Sequence, residues 1–107
     1  MEVISDDLIR EAARCLGEAA RQPARVILFG SYARGEADGS SDLDFLVVQD
    51  DAFSRRREIV RLQDALGPLR VPAEVLVLSH EEADRPELAS DAVRDALREG
   101  VVLYESP

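Results

Sequence analysis

Residues Phe29 to Val48 read FGSYARGEADGSSDLDFLVV. The stretch opens on a Gly-Ser pair, Gly30 and Ser31, directly after an apolar run. Two aspartates on alternate positions, Asp42 and Asp44, then begin a second apolar run. This order predicts a turn that presents backbone amides, followed by two carboxylates on one face of a strand. We interpret the stretch as a site for a metal-bound nucleoside triphosphate.

Three carboxylates are expected to meet at this site if the second and third predicted strands are neighbours. Asp42 and Asp44 are two positions apart on a strand, so their backbones lie about 7 Å apart and their side chains share a face. Glu74 is the candidate for the third, because it is charged within the otherwise apolar stretch PAEVLVL. Such oxygen ligands suit Mg²⁺, and a pair of these ions can hold both the attacking and the leaving oxygen. Taken singly, Asp42 also fits a turn or cap residue, and Glu74 also fits an exposed sheet edge.

The phosphate groups need donors or positive charge. Gly30 permits close approach of the backbone, and Ser31 supplies an amide and a hydroxyl where a helical turn begins. All 13 basic residues are arginines, which excludes a phosphate-loop lysine. Arg34 follows the Gly-Ser pair closely and is the candidate phosphate ligand. The same side chain also fits a surface ion pair with Glu36 or Asp38.

Hydrophobic periodicity predicts an α/β chain in which helices and strands alternate. No repeat, low-complexity tract or linker interrupts the pattern, so residues 1–107 are expected to form a single domain. The predicted helices cover residues 6–21, 53–66 and 86–99, with a short helical turn at 79–85. The predicted strands cover residues 25–29, 43–48, 71–79 and 101–105.

Composition narrows the classes of function. The apolar fraction of 46% and charged fraction of 33% are those of a soluble protein, and no apolar run is long enough to cross a membrane. The acidic start, MEVISDDLIR, differs from a secretory signal, so we expect a cytoplasmic protein. The formal net charge of −9 disfavours general binding of DNA or RNA.

Five other features have a functional and a structural interpretation, and the structural one is favoured for each. The single cysteine excludes an internal disulfide and fits a small core residue. The single histidine fits a surface residue at a strand end better than a general base. Two tyrosines fit packing groups better than nucleotide acceptors, and an arginine run fits a solvated helix face. These features are Cys15, His80, Tyr32, Tyr104 and Arg55–Arg57.

At Gly30-Ser31 and Asp42-Leu43-Asp44 the sequence matches the pattern G-S-x10-D-x-D. With the Ala33-Arg34-Gly35 step, the chain resembles the minimal nucleotidyltransferases of the DNA polymerase β-like superfamily. The resemblance implies a palm fold, a mixed β-sheet of about four strands with helices packed against it. It implies that Gly30 and Ser31 hold the triphosphate of ATP and that Asp42 and Asp44 bind two Mg²⁺ ions. Glu74 would complete one ion site and help to deprotonate the acceptor.

The same resemblance implies a partner. Stand-alone domains of this kind resemble antitoxins that silence an all-helical HEPN toxin by adding AMP to a tyrosine. We expect no further domain to close over the site, so a HEPN-type toxin or a second copy of the chain is expected to supply the rest. Two alternatives stay open: an antitoxin that acts by contact with weak or no catalysis, and a small-molecule (antibiotic) adenylyltransferase. The family commonly carries aspartate where this chain has Glu74.

Overall fold

The computed structural model describes residues 2–50 and 54–107 as a four-stranded β-sheet with helices on both faces. Short 3₁₀ turns at Gly67–Leu69 and Pro86–Leu88 precede the third strand and the last helix. No helix in the described residues is long and apolar enough to span a bilayer. In chain order the elements are α1 (Asp6–Ala19), β1 (Arg25–Phe29), α2 (Ser31–Arg34), β2 (Leu43–Gln49), α3 (Arg55–Ala65), β3 (Ala73–Ser79), α4 (His80–Ala83), α5 (Asp91–Glu99) and β4 (Val101–Glu105).

The sheet is mixed, as the resemblance implied, with the strand order β3-β2-β1-β4. β1 is antiparallel to β2 and to β4, whereas β2 and β3 are parallel. Phe29 lies opposite Asp44, Asp44 opposite Glu74, and Leu28 opposite Val101. The end of β1 and the beginnings of the other three strands therefore meet at one end of the sheet. We call this the site end, and the opposite one the far end.

Each face of the sheet has its own apolar core. Because strand side chains alternate, β2 points Phe45 toward one face and Leu46 toward the other. The first face packs against α1 and α3, in a cluster that includes Leu16, Val26, Phe45, Leu62 and Val75. The second face packs against α4 and α5, in a smaller cluster of Ile27, Leu46, Val48, Leu78 and Ala96. By the same alternation Asp42 and Asp44 lie on the second face.

The helix ends follow from local capping. The Ser5 hydroxyl accepts a hydrogen bond from the Leu8 amide (3.2 Å) and caps α1. The helix stops at Ala19 rather than near residue 21, because Ala20 already has an extended backbone. Ser54 caps α3 in the same way. The predicted helix start at Phe53 lies outside the described residues.

The single helix predicted over residues 86–99 is wrong. A 3₁₀ turn at Pro86–Leu88 is followed by extended backbone at Ala89, and α5 starts anew at Asp91. The reason is a second cap, since the Ser90 hydroxyl accepts from the Val93 amide. Leu88 and Ala89 consequently lie outside α5.

At the far end of the sheet a polar network ties β2 to α1 and α3. The buried Gln49 side chain donates to Glu58 (2.9 Å) and accepts from the Arg21 amide (3.0 Å). Glu58 is itself buried and forms ion pairs with Arg61 and, at 3.4 Å, with Arg21. Arg61 also donates to the Ala19 carbonyl (2.7 Å). The pKa of Glu58 is lowered to about 2, chiefly by its hydrogen bond from Arg61.

Candidate active site

Gly30 has two properties that no other residue type combines. Its φ is +76°, in a region that L-residues avoid. A Cβ atom on Gly30 would also lie only 2.2 Å from Oδ2 of Asp44. The sequence predicted glycine here for close approach to the backbone. In the structure the group that approaches is the carboxylate of the neighbouring strand.

The predicted helical turn after Gly30 is present as α2. The Gly30 carbonyl accepts from the Arg34 amide (3.1 Å), and the Ser31 carbonyl accepts from the Glu36 amide (2.9 Å). Gly35 closes the turn in the left-handed conformation, with φ +72°. The first amides of any helical turn point away from its own carbonyls. The turn therefore directs the Ser31 amide outward, immediately after the residue that touches Asp44.

The structure places two of the predicted carboxylates side by side on neighbouring strands. Since β2 and β3 are parallel neighbours and Asp44 lies opposite Glu74, the two side chains leave the sheet on the same face. Asp42 directly precedes β2 and lies two positions before Asp44, on that face as well. Asp44 is half-buried, whereas Asp42 and Glu74 are exposed. β3 is also an edge strand, so the exposed-edge interpretation of Glu74 holds at the same time.

Like charges act on Asp44 from both sides. Its pKa is raised, first by partial burial and then by the charges of Glu74 and Asp42, while Arg34 acts in the opposite direction. A divalent cation would relieve this repulsion, and the donor set of hard oxygens suits Mg²⁺. As the side chains lie, however, no group of three or more acidic, histidine or cysteine residues within 2–50 and 54–107 is arranged to hold a metal ion. The exposed Asp42 and Glu74 have room to change rotamer.

Arg34 is engaged elsewhere. Its Nε lies 2.5 Å from Oε1 of Glu36, and both side chains are more than half exposed. The surface ion pair that the sequence offered as an alternative is therefore formed. Exposed pairs of this kind are weak, about 0–1 kcal/mol, so a phosphate group can compete for the guanidinium. The proposed contact between Arg34 and a phosphate stays a prediction.

A cavity of about 210 Å³ lies beside the Gly30 turn, where α2 faces α5. Sequence analysis did not single out its acidic members, Asp95 and Glu99, because both lie on the polar side of the last helix. Only the fold shows that α5 and α2 line the same cavity, and no local sequence signal predicts this arrangement. The lining residues are Phe29, Gly30, Ala33, Arg34, Ala92, Asp95 and Glu99.

Four side chains for which the sequence favoured a structural role make hydrogen bonds or packing contacts in the structure. Tyr32 accepts a hydrogen bond from the Ile4 amide (3.0 Å) at its hydroxyl, and the Tyr104 ring lies where a Cβ on Gly17 would be. His80 Nε2 lies 2.7 Å from the Pro23 carbonyl oxygen, after the far end of β3. Cys15 is partly buried and packs against the first core.

The arginine run at the start of α3 is exposed, as the interpretation of a solvated helix face requires. Arg55 forms an ion pair with Glu82 on α4. The run therefore faces solvent and a neighbouring helix, on an element remote from Asp44.

Residues 9–103 match the nucleotidyltransferase domain family. Two curated proteins of Methanocaldococcus jannaschii that carry the provisional name protein adenylyltransferase are each 34% identical to the chain. One alignment spans 65 residues, 58% of this chain and 64% of that protein. The other spans 83 residues, 75% of this chain and 77% of that protein.

Solved structures share the fold. A nucleotidyltransferase-like protein from Sulfolobus solfataricus superposes with a TM-score of 0.65 at 21% identity, over 92% of this chain and 78% of that one. A chain of a toxin–antitoxin complex with AMP-PNP gives 0.61 at 19% identity, over 91% and 73%. A chain of the complex between tri-AMPylated HEPN toxin and MNT antitoxin of Shewanella oneidensis gives 0.61 at 18% identity, over 95% and 74%.

Proposed function

Because the chain belongs to the nucleotidyltransferase domain family, we propose that it transfers AMP from ATP to a hydroxyl group of a partner protein. The observation that carries this proposal is the alignment of Asp44 with Glu74 across neighbouring strands, directly beside Gly30. The site thus joins a turn with outward amides to carboxylates that repel one another. A metal-bound triphosphate would accept hydrogen bonds from the amides, and its metal ions would neutralise the carboxylates.

The residues have separate roles in this reaction. The amides that follow Gly30, with the Ser31 hydroxyl, bind the triphosphate, and Arg34 exchanges Glu36 for a phosphate oxygen. Asp42, Asp44 and Glu74 would hold two Mg²⁺ ions, which when bound neutralise the charge that develops on the phosphate oxygens. Holding the reactants in line at a fixed site contributes the rest of the rate.

The chemical step is a displacement at phosphorus. The acceptor hydroxyl oxygen forms a bond to the α-phosphorus of ATP, the bond from that phosphorus to the bridging oxygen of the β-phosphate breaks, and pyrophosphate leaves. The proton of the hydroxyl passes to the Glu74 carboxylate, which is exposed at the sheet edge. Glutamate is one methylene longer than aspartate and reaches further beyond that edge.

The acceptor is proposed to be a tyrosine of a HEPN-type toxin. The support is the shared fold with a chain of a complex whose HEPN toxin is AMPylated. Charge adds to it, because a chain with net charge −9 complements a basic partner that binds RNA. The chain would act as the antitoxin of such a pair.

A second candidate function is neutralisation by contact alone. Two observations favour it: in the part of the chain that the structure describes, the carboxylates are not arranged to hold a metal ion, and Arg34 is paired with Glu36. In this case the fold would be retained as a docking module, and nucleotide transfer would be weak or absent.

One experiment separates the two functions. The full chain is incubated with its co-purified partner, Mg²⁺ and ATP labelled at the α-phosphate, and the partner is examined for covalent label by gel and mass spectrometry. Transfer predicts a labelled tyrosine, and Asp42→Asn with Asp44→Asn abolishes the label without dissolving the complex. Asp64→Asn, at an exposed position on α3, is the matched control and leaves labelling unchanged. No label on the partner, with full neutralisation by the double variant, would establish the contact function.

A further inference from the structure

We propose that Asp38 is a positioning residue for the metal site, because its carboxylate closes the turn that fixes the backbone of Asp42. Asp38 precedes Asp42 in the segment that joins α2 to β2. The inference rests on the proposed function, in which Asp42 and Asp44 hold Mg²⁺. It adds a residue that acts through Asp42 and does not itself contact the metal ion.

Residues 38–41 form a turn, which we call the Asp38 turn, that is closed by backbone and side-chain hydrogen bonds. The Ser41 amide donates to the Asp38 carbonyl (3.1 Å), as in a β-turn. Oδ1 of Asp38 accepts from the Ser40 amide (2.8 Å), the Ser40 hydroxyl (2.7 Å) and the Ser41 hydroxyl (3.3 Å). The Ser41 hydroxyl also accepts from the Asp38 amide (2.9 Å). A single carboxylate oxygen therefore organises the two residues that precede Asp42.

The carboxylate of Asp38 is engaged in this turn. Sequence analysis gave Asp38 as one possible ion-pair partner of Arg34, but the structure pairs Arg34 with Glu36. The pKa of Asp38 is lowered, chiefly by the hydrogen bond from the Ser40 hydroxyl. The carboxylate therefore stays ionised while it accepts from the amide and hydroxyl groups of its own turn.

Asp42 lies between two fixed points of the backbone. Immediately after it, the Leu43 amide donates to the Pro72 carbonyl (2.9 Å), where the pairing of β2 with β3 begins. Immediately before it, Ser41 is held by the Asp38 turn. Asp42 itself is exposed and precedes the first residue of β2. Without the Asp38 turn, the backbone of Asp42 would be fixed on one side only.

The Asp38 turn contributes little to the packing of the fold. Asp38 and Ser40 are exposed, and none of the core residues in the described part of the chain comes from 38–41. Substitutions at exposed positions away from the cores usually change stability little. The hydrogen bonds of so exposed a turn therefore fit a role in placing Asp42 better than a role in holding the sheet together.

Metal geometry makes the position of Asp42 important. Mg²⁺ requires near-ideal octahedral ligands at about 2.0–2.1 Å. The Asp42 side chain has room to change rotamer, but the positions open to its oxygens are set by where its backbone lies. Removing a group that orients a metal ligand typically lowers metal affinity by about 10–100-fold. We expect the lower limit of about tenfold for the Asp38 turn, because the Leu43 amide still holds the other side of Asp42.

The first test measures the affinity of the full chain for Mn²⁺ alone, from the electron paramagnetic resonance signal of the free ion. Mn²⁺ prefers the same oxygen ligands as Mg²⁺. We expect Asp38→Ala to weaken binding about tenfold with the urea midpoint unchanged, and Asp42→Asn to weaken binding at least as much. Asp64→Ala, at an exposed position on α3, is the matched control and leaves the affinity unchanged.

The outcomes distinguish this inference from the proposed function. If Asp42→Asn weakens Mn²⁺ binding and Asp38→Ala does not, the role of Asp38 is wrong and the metal site stands. If neither variant changes Mn²⁺ binding, both are wrong, because Asp38 acts through Asp42.

A second test separates position from charge. The side-chain oxygen of asparagine can accept the hydrogen bonds that Oδ1 of Asp38 accepts, and asparagine forms the same kind of turn. We therefore expect Asp38→Asn to bind Mn²⁺ within about threefold of the wild type, whereas Asp38→Ala does not. A loss as large in Asp38→Asn as in Asp38→Ala would show that the charge of Asp38 acts on the ion, and it would exclude the positioning role.

Discussion

Acidic side chains with opposite pKa shifts lie at the two ends of β2. At the site end Asp44 lies beside Glu74, and burial together with like charge raises its pKa. At the far end Glu58 lies among Arg61 and Arg21, and its pKa is lowered to about 2. The chain therefore compensates the charge of Glu58 at one end of this short strand. It does not compensate the charge of Asp44 at the other end.

The difference distinguishes structure from function. A buried charge with its own arginines and a glutamine is complete within the chain, and it binds the strand to two helices. The adjacent carboxylates at the site end of the sheet destabilise each other until a cation binds. Perturbed carboxylates of this second kind indicate a ligand site. The comparison can be tested by substitutions at each end.

The largest effect is expected for Gly30→Ala at the site end. The new Cβ would lie 2.2 Å from Asp44 Oδ2. The alanine would also have to keep the backbone φ of +76°. The carboxylate has to move, so we expect nucleotide transfer to fall by about a thousandfold, or about 4 kcal/mol in the barrier. The measurement is the initial rate of label transfer to the partner, with folding followed by circular dichroism.

Gly35→Ala separates the two causes. Gly35 also has a positive φ, +72°, but a Cβ there meets nothing within 4 Å. The variant therefore carries the backbone strain, about 1 kcal/mol, without displacing Asp44. Equal loss of transfer in both alanine variants would show that strain in the turn, and not the contact between Gly30 and Asp44, controls the site.

The site end was the part of the fold most accessible to sequence reasoning. A Gly-Ser step after a short apolar run and two aspartates on alternate positions are local signals, and they predict a turn and a shared strand face without knowledge of the rest. The adjacency of Glu74 was conditional on β2 and β3 being neighbours. The structure meets that condition, with Asp44 and Glu74 in register.

The polar network at the far end could not be predicted from the sequence in the same way. Glu58 occurs among three arginines and a β-branched pair, where it is typical of the exposed face of a helix. It is buried because Gln49 and Arg21, from other elements, provide partners for it. The break at Ser90 was missed for a related reason, since an N-cap within a periodic stretch competes with helix continuation. Contacts between elements that are distant in sequence produce no local pattern from which they could be predicted.

Glu58→Gln is the corresponding change at the far end, and we expect it to affect stability rather than transfer. It removes the charge that Arg61 and Arg21 pair with, at a side chain that is 5% exposed. Because the two arginines that remain are about half exposed, no buried charge is left unpaired, and the loss of the charge-assisted hydrogen bonds costs about 2–3 kcal/mol of unfolding free energy. Urea denaturation measures it, and Glu18→Gln, in an exposed pair with Arg14, is the control with a change within about 0.5 kcal/mol. An unchanged midpoint for Glu58→Gln would contradict the structural role of the far end.

The same end should make the fold sensitive to acid. The pKa of Glu58 is about 2 in the folded chain against an ordinary value of 4.5, so the unfolded chain binds the proton first as the pH falls. The stabilisation is present above pH 4.5 and is lost between that value and about 2, a total of about 3 kcal/mol. Denaturation at a series of pH values should show this slope in the wild type. A slope as steep in Glu58→Gln would assign the acid sensitivity to other carboxylates.

Asp44→Asn should have the smallest effect on the fold, and its sign is opposite to that of Glu58→Gln. The raised pKa of Asp44 means that its ionised form opposes folding, so removing the charge should increase the free energy of unfolding by up to about 1 kcal/mol while transfer is lost. Glu74→Gln relieves the same repulsion from the other strand, so the double variant should gain less than the sum of the single ones. Urea midpoints of the three variants measure this coupling. A destabilised Asp44→Asn would mean that the carboxylate is compensated within the chain after all, and the two ends of β2 would then be alike.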